Sequence, residues 1–99
     1  MPRYFTPARA SDALVEIRPL VEQLIEHRRA QERIGVARCV NAIHEQGAIV
    51  KSPDEGLIDF PAQREGEEIL LCWRLGEDEV AFWHPLEEGF AGRKPIDPE

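Results

Sequence analysis

Apolar residues recur at helical spacing between Thr6 and Gly47, and at strand spacing beyond it. Thr6 offers a side-chain oxygen to an unpaired helix N–H, and Pro7 suits the first helical position, so a helix is predicted to start there. Ala10, Leu14, Ile17, Val21 and Leu24 then fall three or four apart, with Ala13, Leu20 and Ile25 widening the stripe. Asp12, Glu16, Glu22, Glu26 and Arg29 occupy the opposite side. Pro19 removes a backbone bond and crowds the carbonyl of Val15, which predicts a kink near Arg18. Because the stripe keeps its phase across the proline, the reading is a kinked helix from Pro7 to Arg33. A second set, Ile34, Ala37, Val40 and Ile43, leads to Gly47 as a left-handed stop. Gly35 leaves open whether the two segments make a hairpin or one long helix.

After Gly47 the runs are short and extended: Ile49-Val50, Leu57 to Phe60, Ile69 to Trp73 and Val80 to Trp83. Turn-forming stretches at 52–56, 64–66 and 76–78 separate them, which predicts an antiparallel β-meander of three to four strands. Helices first and strands afterwards give an α+β domain whose helices, residues 6–47, cover one face of a sheet and ordered tail, residues 48–96. Phe60 set opposite Ile69, and Leu71 opposite Phe82 or His84, places Ile58, Phe60, Ile69, Leu71, Trp73, Val80, Phe82 and His84 on the core face. The other face then holds Leu57, Asp59, Leu70, Cys72, Arg74, Ala81 and Trp83. That mixture is neither plainly solvated nor plainly core, so a site or subunit contact is sought there.

Ninety-nine residues fit a single domain, and no apolar run approaches the roughly 20 residues that cross a bilayer. With no leader-like start and no CxxC spacing, Cys39 and Cys72 read as reduced thiols, and a cytoplasmic protein without a membrane role is expected. The net charge of −7 is uneven. Residues 1–50 carry seven Lys/Arg against six Asp/Glu (+1), and residues 51–99 carry five against thirteen (−8). The acidic half repels phosphate backbones, so nucleic acid would be met only through Arg28, Arg29, Arg33 and Arg38. These alternate with Glu26 and Glu32 and lack an aromatic platform, which reads as a solvated helix face.

The chemistry-bearing residues concentrate in the second half. His84, held extended by Pro85, is a candidate base, with Asp59 and Glu77 as its nearest acidic candidates; the bland alternative is an imidazole at the core's edge. Cys72 lies mid-strand, where a thiol is inert packing unless a base adjoins it. No HExxH or Glu-x-x-His pattern occurs, so neither metal nor cofactor is expected. Ser11 and Ser52, the only serines, lie outside any nucleophile elbow. Gly89-Phe90-Ala91-Gly92-Arg93 lacks the Lys-Ser/Thr of a phosphate loop and is followed by prolines. It reads as a tail that turns at its glycines, buries Phe90 and delivers Arg93 either to Asp59 or to an anionic ligand.

Tyr4-Phe5-Thr6, Gly56, Asp59-Phe60-Pro61-Ala62, Leu71-Cys72-Trp73, Gly76-Glu77, Trp83-His84, Gly89 to Arg93 and Pro95-Ile96 together resemble a bacterial family, domain-of-unknown-function family number 2203. The resemblance implies no activity and no catalytic residue. Two readings follow from the residues themselves. One is a non-catalytic interaction module, self-associating as a homodimer through the helical part or docking an unknown cytoplasmic protein. The other is a small-ligand-binding protein or hydrolytic enzyme with Asp59, Cys72 and His84 as catalytic candidates and Trp83 and Arg93 as ligand-binding candidates.

Overall fold

The structure, a computed structural model, describes residues 4–96. Helix α1 (Pro7–Arg29) opens as expected: the Thr6 hydroxyl accepts the Arg9 N–H at 3.1 Å, and Pro7 occupies the first turn. It runs through Pro19 without a break. The carbonyl of Val15 loses its partner there, on a residue whose side chain is 77 % exposed, where water can take the bond.

The chain reverses at Ala30–Glu32, not at Gly35. Gln31 adopts φ 59°, the left-handed region, and α2 (Arg33–Glu45) folds back on α1 as a helical hairpin. Gly35 serves the packing instead: a Cβ there would lie 2.3 Å from His27 Nδ1, so the missing side chain makes room for the α1 imidazole. At the far end Gly47, with φ 93°, donates its N–H to His44 and closes α2 where the sequence placed its stop.

Five strands follow: β1 (Ile49–Ser52), β2 (Leu57–Arg64), β3 (Glu67–Arg74), β4 (Phe82–Pro85) and β5 (Lys94–Pro95). They form one antiparallel meander in chain order. The count is one or two above the expected three to four, because the tail returns through a short 3-10 turn (Phe90–Gly92) and pairs with β4. This is an α+β fold. The β2–β3 turn is the two-residue Glu65-Gly66, both at positive φ, which matches the twist of a hairpin.

The α1 stripe of Ala10, Leu14, Ile17, Val21 and Leu24 is buried against Ile58, Phe60, Leu71 and Trp73 of the sheet, with Cys39 and Ile43 of α2 closing the core. Burial of each of the Leu, Ile, Val and Phe side chains contributes about 1.5–3 kcal/mol. The α1 stripe is thus covered within one chain. Among the described residues, no helix is long and apolar enough to cross a membrane.

The register differs from the expected pairing in both hairpins. Phe60 faces Leu71 and not Ile69, a shift of two that leaves both faces intact. In the next hairpin Leu71 faces Trp83, whereas Cys72 faces Phe82 and Leu70 faces His84. This slip of one residue moves Phe82 and His84 onto the face turned away from the helices, and Trp83 onto the helix side.

Candidate functional site

On the face away from the helices, three adjacent strands bring Asp59, Cys72 and His84 together. Asp59 and Cys72 are directly opposed across β2 and β3, and His84 sits on β4 two positions along from Phe82, the residue that faces Cys72. All three are buried, Asp59 and His84 at 1 % exposure and Cys72 at 0 %. Their ligand atoms lie within 4.8 Å of one another. The two expected catalytic carboxylate and imidazole candidates do meet: His84 Nε2 is 3.2 Å from Asp59 Oδ2.

The imidazole's other nitrogen decides what that contact is. His84 Nδ1 is 2.9 Å from the carbonyl oxygen of Pro85, which can only accept, so Nδ1 carries a hydrogen and donates it. Nε2 of a neutral ring is then a lone pair, facing a carboxylate oxygen. One proton must lie between Nε2 and Oδ2. Burial raises the Asp59 carboxyl above its ordinary range, and His84 opposes that rise, with a further contribution from Lys51 in β1. Among the described residues Asp59 Oδ1 has no hydrogen-bond partner of sound geometry; the facing Cys72 thiol is a weak donor that interacts with the carboxyl group. Burial and the neighbouring Asp59 push the Cys72 thiol up to about 11, while Arg93 pulls the other way. A thiol so held is protonated at neutral pH and is no nucleophile.

Arg93 does arrive on this face, but Asp59 is not its partner. Its guanidinium makes a two-pronged pair with Glu77: Nη1 to Oε1 at 3.2 Å, and Nη2 to Oε2. It lies between the rings of Phe82 and Phe90, 3.9 and 4.2 Å from their centroids, and Nη1 is 4.0 Å from Cys72 Sγ. Glu77 is anchored in turn. Its carboxylate accepts the Arg74 N–H at 2.9 Å, and its carbonyl accepts from Trp73 Nε1 at 2.9 Å and from Arg18 of α1. The sequence offers Glu77 as an acidic neighbour of His84, but the Gly76-Glu77 turn and the glycine-flanked tail bring it to Arg93 instead.

Trp83 is separated from this group. It lies on the helix side, half-buried, where two clefts of about 490 and 350 Å³ share Arg64, Ile69 and Trp83 as walls. The Arg64 and Lys94 cations sit 4.8 and 5.1 Å from its ring centroid. Neither these two clefts nor three others at 290–610 Å³ is lined by Asp59, Cys72, His84 or Arg93. The structure therefore assembles the expected polar residues but closes them off, while the tryptophan meets open surface. Of the basic cluster, Arg28 is paired with Asp54 at 2.7 Å.

A family model described as "Uncharacterized conserved protein (DUF2203)" matches residues 26–96. No curated protein and no solved structure matches the chain.

Proposed function

For a chain that belongs to the uncharacterized conserved family DUF2203, we propose a non-catalytic interaction module that seats a basic, apolar-anchored segment of a partner protein beside Trp83. The observation that carries this reading is the pair of clefts meeting at the Trp83 ring. The larger is lined by the apolar Ile69, Pro85 and Leu86, the last 50 % exposed, and by Glu65, Glu67, Glu68 and Glu87, with Arg64 paired to Glu65 at 3.9 Å so that the acidic charge stays in excess. An aromatic anchor inside a charged rim is the anatomy of a protein contact site, and a net acidic surround selects a partner of opposite sign. The seclusion of Asp59, Cys72 and His84, with the thiol kept protonated, supports a role without covalent catalysis.

Selection from a random peptide library against the intact protein tests this. Enriched peptides are expected to carry Lys or Arg around a Leu, Phe or Trp, and to lose binding to the Trp83→Ala protein and to the Glu67→Lys/Glu68→Lys double variant. Enrichment of acidic peptides, no enrichment, or binding indifferent to these substitutions overturns the reading. Concentration-dependent self-association abolished by the same substitutions also overturns it, and assigns the cleft to a second copy of the chain.

A further inference from the structure

Asp59, Cys72 and His84 come from three strands, so no spacing in the chain announces them as a set; their chemistry does so once the sheet is formed. We propose that these three side chains bind a zinc-class divalent transition-metal ion between β2, β3 and β4.

Carboxylate oxygen, thiolate sulfur and imidazole nitrogen are the three donor types of zinc sites, and a thiolate selects such ions over magnesium or calcium. Bond lengths of about 2.0–2.3 Å at tetrahedral angles put donor atoms roughly 3.3–3.8 Å apart. His84 Nε2 and Asp59 Oδ2 stand at 3.2 Å, and the trio lies within 4.8 Å, so the widest separation need close by only about 1 Å. The Nδ1–H to Pro85 carbonyl bond leaves the Nε2 lone pair for the ion, the outer-shell arrangement that metal-binding histidines use. Asp59 Oδ1, buried and without a sound partner, supplies a second unsatisfied acceptor at the same point. Binding expels the Cys72 thiol proton and the proton shared by Asp59 and His84. Thiolate and carboxylate then neutralise the dication. The nearby Arg93 charge is already matched by Glu77.

The test uses the whole chain refolded with cobalt(II), so that access to a buried site does not limit the result. One cobalt per chain is expected, with a thiolate-to-cobalt charge-transfer band and intense four-coordinate visible bands, both erased by zinc. Cys72→Ser should remove the charge-transfer band and Cys39→Ser should keep it. His84→Gln should weaken binding by about tenfold or more, with folding verified by circular dichroism. Absence of cobalt bands after refolding, or a charge-transfer band that survives Cys72→Ser, overturns the proposal. It stands apart from the Trp83 cleft, and neither experiment decides the other.

Discussion

Arg93 and Glu77, sixteen positions apart, lock the returning tail onto the β3–β4 turn by a two-pronged ion pair at the edge of the buried trio. The side chains are 16 and 24 % exposed, so each charge depends on the other for most of its solvation. Arg93→Ala is expected to cost on the order of 3 kcal/mol in urea unfolding. A double-mutant cycle with Glu77→Gln should show coupling of roughly 1–3 kcal/mol. Arg93→Lys should recover only part of the loss, because an ammonium cannot fork onto the carboxylate while also packing against Phe82 and Phe90. Additive single and double losses would show the pair to be inconsequential.

The Cys72 thiol supplies a pH signature. Its folded pKa, about 11, exceeds the ordinary 9.0, so the folded state holds the proton more tightly than the unfolded one. This contribution is fully present below pH 9 and is lost as pH rises through 11. Stability of the metal-free protein should fall over that window by about 3 kcal/mol relative to Cys72→Ala. At pH 8 the native protein should resist thiol reagents, and both Cys39 and Cys72 should react once it is unfolded. Rapid native labelling of Cys72 would contradict its burial.

Two glycines separate steric need from conformational need. Gly56 has φ 67°, and a Cβ there would meet Leu75 Cβ at 2.8 Å and Val21 Cγ1 at 3.2 Å. Gly66 has φ 82° and, among the described residues, nothing within 4 Å of an added Cβ. Gly66→Ala should cost about 1 kcal/mol from backbone strain alone. Gly56→Ala should cost distinctly more, about 2–3 kcal/mol, because strain and overpacking act together. Equal melting temperatures for the two variants would reject the distinction.

Helical self-association can be probed without destroying the core. Leu24 is fully buried, so Leu24→Asp is expected to unfold the protein rather than report on assembly. Val15, 77 % exposed on α1, is the informative site: Val15→Asp should change stability by less than about 0.5 kcal/mol. If α1 joins two copies through this side, light scattering should show the mass halved in the variant. An unchanged mass removes that face from consideration.

The readable parts of the fold were those fixed by local chemistry. Thr6-Pro7 and Gly47 specify helix ends through their own backbone needs, and the α1 stripe specifies the side that packs. The reversal at Gln31 was hidden because a non-glycine left-handed residue carries no distinctive letter. Gly35 suggested a hinge but accommodates His27, a tertiary fact. The β3–β4 register was equally hidden, since residues 75–81 are positioned from outside the hairpin. Ser11 accepts the Val80 N–H at 3.0 Å and Arg18 holds the carbonyls of Glu77 and Asp78. Without those helix contacts the loop length allowed a slip of one, and with it the wrong sides for Trp83 and His84. Asp59, Cys72, His84 and Arg93 were legible as residues of interest, but their partners depended on that register.

The Phe5 N–H reaches the carbonyl of Pro61 at 2.7 Å, and its ring meets Phe60 edge-on at a centroid distance of 5.1 Å. In a strand the N–H and C=O of one residue point the same way, so Pro61 turns its missing donor outward, past the end of β1 and away from β3. The outer margin of β2 therefore offers an incoming strand one donor too few and an acceptor already taken. What looks like an awkward proline in the middle of a sheet is a guard against edge-to-edge recruitment by other chains, and Phe5 is its latch.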